Sequence, residues 1–170
     1  DILAYNPHIV IEGMAIAALA VGATEGYVYL RSEYPLAITA LRRAIEICYA
    51  HGILGESVLG SGRRFDLDVR VGAGAYICGE ETSMLESLEG KRGEVRAKPP
   101  IPALEGLFGR PTVVNNVLTL SAVPMVLADG GEAYAALGTG RSRGTQVFQL
   151  AGNVARGGIV EADFGITLDT

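Results

Sequence analysis

The sequence predicts an α/β fold built on a parallel βαβ unit and followed by the start of a small β-rich domain, on three observations. A short run of strand-favouring residues, a helical repeat and a strictly alternating strand follow one another over about 45 residues, which is the βαβ pattern. A glycine-rich turn then joins the second strand to another helical stretch. From Thr145 onward the apolar pattern changes to strand alternation, in Val147-Phe148-Gln149-Leu150 and again in Ile159-Val160-Glu161.

Taken in order, Asn6-Pro7 is a helix start, with Asn as N-cap and Pro at the first helical position. Ile9, Ile11, Met14, Ala15, Ala18 and Leu19 follow at helical spacing, and Gly22 ends the helix. Gly26 to Arg31 is the first strand. Pro35 to Ala50 returns to helical period, with Leu36, Ile38, Leu41, Ile45 and Cys48 on one face and Arg42, Arg43 and Glu46 on the other. Phe65 to Val71 alternates apolar and charged residues, as a half-buried strand does. After Gly72-Ala73-Gly74 a helix is expected from about Gly79 to Leu88, with Met84, Leu85 and Leu88 inward. Glu89 to Pro111 is a proline-rich loop whose Ile101, Leu104, Leu107 and Phe108 argue for order. Residues 115–128 read as a helix kinked or interrupted at Pro124, and a domain boundary is expected between Gly138 and Gly144.

Composition narrows the function. With 14 Lys+Arg against 19 Asp+Glu the net charge is −5, which excludes a nucleic-acid binder driven by bulk charge. Hydrophobic residues at 49% supply a core and exclude disorder. Cys48 and Cys78 form no CxxC pair and lie beside neither His8 nor His51, so no disulfide framework or metal cluster is read, and a reducing compartment is expected. Met14 to Ala23, the most apolar stretch, is about half the length needed to span a bilayer. Without an initiator Met, a signal pattern or a terminal tail, the chain is expected to be a segment of a longer protein.

The strongest local signal is the turn from Gly72 to Thr82. Strand, glycine turn and helix is where α/β folds hold nucleotides, because glycine lets a ligand touch backbone. The spacing GxGxxxxG is neither a dinucleotide fingerprint nor a P-loop. Glu80 and Glu81 favour the helix dipole and repel phosphate, so the turn is expected to face a neutral, planar or hydroxylated part of a ligand. The plainer alternative is a tight turn whose two glutamates only cap a helix. Asn115 is an N-cap by default, whereas Asn115, Asn116 and an inward Thr119 together could donate to a ribityl or phosphate group. Lys91, Arg92, Arg96 and Lys98 form a basic cluster that is either a solvated loop or the counter-charge for a phosphate-bearing ligand.

At these residues the sequence resembles a known family. Residues 72–94 (GAGAYICGEETSMLESLEGKRGE), 96–104 (RAKPPIPAL), 106–118 (GLFGRPTVVNNVL) and 144–154 (GTQVFQLAGNV) are similar to the NADH-binding flavoprotein subunit of respiratory complex I. The same module occurs in hydrogenase diaphorases and in the β subunit of NAD-dependent molybdenum formate dehydrogenases. Residues 141–145, 149–153, Gly157-Gly158 and 161–168 look closest to the formate dehydrogenase β subunit.

The resemblance implies a Rossmann-like FMN-binding domain over residues 1–140, with NAD(H) stacked on the flavin, and over residues 141–170 the beginning of a ubiquitin-like domain of the soluble-ligand-binding type. It places Tyr76, Gly79, Glu80 and Glu81 at the flavin, Glu81 also near the nicotinamide as the catalytic candidate, Asn115, Asn116 and Thr119 on FMN, and Lys98 at the dinucleotide. It implies hydride exchange between NAD(H) and FMN, with electrons passed to iron–sulfur centres. The partners would be the iron–sulfur and catalytic subunits of a cytoplasmic redox complex that binds no nucleic acid and does not itself enter a membrane. The 4Fe–4S ligands and the upstream glycine-rich loop are expected outside these residues, and no metal ligand within them. Ile101 stands where complex I members carry an aromatic, which favours formate dehydrogenase over complex I or a hydrogenase diaphorase. A scaffold that has lost FMN is the non-catalytic alternative, and the segment alone is expected to be inactive.

Overall fold

The computed structural model describes residues 1–168 and divides into two compact units, residues 1–121 and residues 122 onward. The first opens with a single helical turn, α1 (Ile2–Tyr5), which no sequence signal announces, and then α2 (Pro7–Val21). Asn6 and Pro7 take the N-cap and first-turn positions, and Gly22 closes α2 in the left-handed conformation at φ 75°, where glycine escapes the Cβ penalty.

Strand β1 (Glu25–Arg31), helix α3 (Pro35–Ala50) and strand β2 (Asp66–Gly72) form the βαβ unit. The strands run parallel in a register from Glu25 opposite Asp66 to Arg31 opposite Gly72. Val28, Leu30, Leu67 and Val69 line one face and are buried, whereas the neighbouring register pairs put Tyr27 beside Asp68 and Tyr29 beside Arg70 on the other. Val71 departs from the expected alternation and is exposed.

Helix α3 has the predicted bounds but a shifted face. Its buried stripe is Ala37, Leu41, Ala44, Ile45 and Cys48, while Leu36 is 58% exposed. Leu36 precedes that stripe by one residue, about 100° around the helix, which turns its side chain to solvent. From α2, Val10 and Ile11 join Leu41 in the core, each nearly inaccessible to water and each worth about 2 kcal/mol of burial.

Helix α4 (Glu81–Leu88) follows β2 through a short 3₁₀ turn, Tyr76–Gly79. Leu85 is fully buried, while Met84 and Leu88 are only partly so. Helix α5 (Val117–Asp129) carries Pro124 without breaking. In the second unit α6 (Gly131–Ala136) precedes a two-residue hairpin, β3 (Gly138–Thr139) with β4 (Ser142–Arg143). Strands β5 (Thr145–Leu150) and β6 (Gly158–Asp163) pair antiparallel over their whole length, and the rings of Phe148 and Phe164 meet edge to face at 6.4 Å.

Candidate functional site

The turn between β2 and α4 is shaped by its glycines and fixed by an acidic cap. Gly74 sits at φ 88°, a left-handed conformation that side chains disfavour. The chain then makes the Tyr76–Gly79 turn, and Glu80 takes extended backbone angles (φ −79°, ψ 137°), so α4 begins at Glu81 rather than at Gly79. One oxygen of Glu80, Oε2, accepts from the backbone N–H groups of Thr82 and Ser83, each at 2.9 Å, and from the Thr82 hydroxyl at 2.6 Å. The Thr82 hydroxyl first, then the Ser83 amide and Lys98, hold the Glu80 carboxyl down to about 2. Of the two acids expected in the first turn, Glu80 is therefore the N-cap and Glu81 alone opens the helix.

Lys98 reaches this cap from the proline-rich loop. Its ammonium donates to Glu81 Oε1 and lies 3.4 Å from Glu80 Oε1, and these carboxylates, Glu81 foremost, raise its pKa. Two residues earlier, Arg96 donates to Glu86, to Glu89 at 2.8 Å and to the Gly106 carbonyl at 3.0 Å. Lys91, then Arg96 and the Phe108 N–H, hold Glu89 down to about 2. The basic cluster, expected either as a solvated loop or as a phosphate counter-charge, is thus engaged by the chain's own acids: Lys91 with Glu86 and Glu89, Arg92 with Glu94, Arg96 with Glu86 and Glu89, and Lys98 with Glu80 and Glu81.

The outer surface of the turn is open. Tyr76 is 91% exposed and Ile77 about half so, while Cys78 after them is buried. A Cβ on Gly72 would strike the Tyr29 hydroxyl at 2.6 Å, and one on Gly93 would strike Cys78 Sγ at 2.7 Å, so packing explains both glycines. Gly79 differs: its φ is not left-handed, and nothing lies within 4 Å of the place a Cβ would occupy. Neither strain nor packing among the described residues calls for glycine there. The backbone there is bare, beside an acid pair whose charge one lysine partly offsets, and leaves room for a flat ring to lie against it. A surface depression of about 380 Å³ lies among Glu86, Glu89, Lys91, Arg96, Pro100 and Gly106 and takes no residue from the turn.

Asn116, not Asn115, makes the capping contact at α5, its Oδ1 accepting the Leu118 N–H at 2.8 Å. Asn115, Asn116 and Thr119 are exposed, so Thr119 does not point inward in this chain. Among the described residues no hydrogen bond or ion pair joins these three to the Glu80, Glu81 and Lys98 group. Nor does any cluster of three His, Cys, Asp or Glu there suit a metal, and no helix is long and apolar enough to cross a membrane. Thr82 and Glu89 are the contributors that sequence reasoning missed, together with the bonds that tie Arg96 to them. A glutamate is an uncommon N-cap, and nothing in the spacing announces a bond from residue 96 to residue 82.

The Nuo51 FMN-binding domain family matches residues 1–125. The NADP-reducing hydrogenase subunit HndC of Solidesulfovibrio fructosivorans is 48% identical over 167 residues, 98% of this chain and 34% of that protein. An NADH-quinone oxidoreductase subunit of Aquifex aeolicus is 48% identical over 169 residues, 98% of this chain and 39% of that protein. The crystal structure of an NAD+-reducing NiFe-hydrogenase in its H2-reduced state superposes with a TM-score of 0.87 at 40% identity, covering 98% of this chain and 28% of that one. The chain thus spans 34% to 39% of the length of these two curated relatives.

Proposed function

This chain belongs to the Nuo51 FMN-binding domain family, and from that premise we propose that it supplies the flavin-facing turn of an NADH-oxidising flavoprotein. The observation that carries the reading is the bare backbone at Gly79 beside the Lys98-paired acids Glu80 and Glu81.

Bound FMN would supply a ring able to take a hydride and to give up electrons singly. The chain's part is to bind and orient. Gly79 lets main chain lie against the ring, and Tyr76 covers the mouth of the turn. Glu80 holds the first turn of α4 in place. Glu81 meets the nicotinamide end of NADH, and Lys98 offsets the charge of the two acids so that the anionic dinucleotide can approach. Asn115, Asn116 and Thr119 offer uncharged polar groups to the ribityl and phosphate end of FMN.

The similarity to the hydrogenase and NADH-quinone oxidoreductase proteins supports a place in a complex I or NAD-reducing hydrogenase assembly, ahead of the formate dehydrogenase β subunit that residues 141–168 resemble. Electrons would pass to iron–sulfur centres, including a 4Fe–4S cluster held by residues outside this chain, in a cytoplasmic complex with iron–sulfur and catalytic partner subunits. In this reading residues from 141 onward open a ubiquitin-like domain, the rest of the chain completing the FMN domain.

The test is made on the full-length protein in its assembly. It should carry the two visible absorption bands of a flavin, and Glu81→Gln should slow NADH oxidation with an artificial acceptor by at least about tenfold while retaining the flavin. A colourless protein would favour the scaffold reading, and unchanged kinetics would remove Glu81 from the site.

A further inference from the structure

The geometry points to Thr82 as the positioning residue of the dinucleotide site: its hydroxyl fastens the Arg96 segment to the Glu80 cap and thereby sets Lys98 over Glu80 and Glu81. The inference rests on the proposed assignment of Lys98 and Glu81 to the dinucleotide.

The Thr82 side chain is 1% exposed and its hydroxyl makes two bonds at once. It donates to Glu80 Oε2 at 2.6 Å and accepts the Arg96 backbone N–H at 2.9 Å. The cap does not need that hydroxyl, because the Thr82 and Ser83 amides already bond the same Glu80 oxygen. What the hydroxyl adds is a link to a segment 14 residues further along the chain. The Arg96 side chain secures the segment a second time, on Glu86, Glu89 and the Gly106 carbonyl.

Lys98 follows two residues later on a long stem that loses considerable rotamer freedom when its ammonium is held in one place. With its backbone fixed at Arg96, the ammonium reaches Glu81 and Glu80; with the backbone loose, it would spend more of its time in water. The two carboxylates would then face an incoming dinucleotide, itself anionic at its pyrophosphate, without their counter-charge. Thr82 touches no ligand in this account: it bonds Glu80 directly and reaches the dinucleotide only through Lys98.

The experiment measures the dissociation constant of NAD+ by calorimetry on the oxidised, FMN-loaded full-length protein in its native assembly, together with flavin content. Thr82→Val keeps the side-chain volume and removes the hydroxyl. It should weaken NAD+ binding about tenfold, Lys98→Met should do the same, and the double variant should bind no more weakly than Lys98→Met alone. Thr82→Ser, which restores the hydroxyl, should bind within about twofold of the parent.

If Lys98→Met weakens binding and Thr82→Val does not, or if the two losses multiply in the double variant, the positioning role is overturned while the dinucleotide site stands. If Lys98→Met binds NAD+ as the parent does, the reading of Lys98 fails and this inference falls with it. Should Thr82→Val fail to assemble, Thr82→Ala, which also removes the hydroxyl that accepts the Arg96 N–H, decides the matter in the same cycle: a loss absorbed by Lys98→Met supports the role, and a multiplicative loss overturns it.

Discussion

The hydroxyls of Tyr29 and Ser87 lie 2.9 Å apart and join β1 to α4 across 58 residues of chain. This bond fixes the helix that Glu80 caps and Glu81 opens against the polar face of the sheet, and the same tyrosine fills the space that only a glycine at position 72 leaves free. Burial pushes the Tyr29 phenol up, which keeps its hydroxyl protonated, and either hydroxyl can donate to the other. Tyr29→Phe should therefore cost about 1 kcal/mol in denaturant unfolding of the full-length protein, with an unchanged slope. No measurable loss would mean that α4 is held by its apolar contacts alone.

Gly13 sets two effects against each other. Alanine in the middle of α2 would gain about 1 kcal/mol of helix propensity, yet its Cβ would come within 2.0 Å of the Leu120 carbonyl oxygen. Backbone cannot rotate away as a side chain can, so packing wins. Gly13→Ala should destabilise the protein by about 2 kcal/mol or more by the same unfolding measurement, and a stabilised variant would show that α2 and the start of α5 do not pack closely.

Acid should weaken the fold through two carboxylates. Glu80 and Glu89 are both held down to about 2 in the folded chain, whereas an unfolded glutamate titrates at about 4.3. For a depressed carboxyl the stabilisation is complete above the unfolded value and is lost as pH falls toward the folded one. The thermal midpoint should thus be level above about pH 5 and fall steadily between about pH 4.3 and 2. Glu89→Gln, which takes charge-assisted bonds from Lys91, Arg96 and the Phe108 amide, should cost about 2 kcal/mol at neutral pH and flatten part of that acid slope. An unaltered slope would assign the acid sensitivity to other groups.

The elements governed by local rules were legible in the sequence. Proline at the first turn and the repeat of apolar residues set the bounds of α3 at Pro35 and Ala50, and alternation located β2 within one residue. Spacing puts Leu36 on the apolar face of α3, yet it is exposed, because spacing fixes the centre of a helical stripe only to within a residue. At the site, the turn and its acids were visible as a motif, but the capping role of Glu80 depends on where the 3₁₀ turn ends, which hydrogen bonding decides. The basic cluster looked free because its acidic partners Glu86 and Glu89 sit on α4 and at its end, and their meeting with Arg96 depends on how the proline-rich loop folds back.

The most direct measurement is the flavin-to-protein ratio of the purified full-length protein carrying Gly79→Val. The side chain has open space around it in the protein alone, so the variant should fold with a stability within about 1 kcal/mol of the parent and yet retain less than about a tenth of its FMN. A variant that stays fully yellow would show that no ring lies against Gly79, and the proposed placement of the flavin would be wrong.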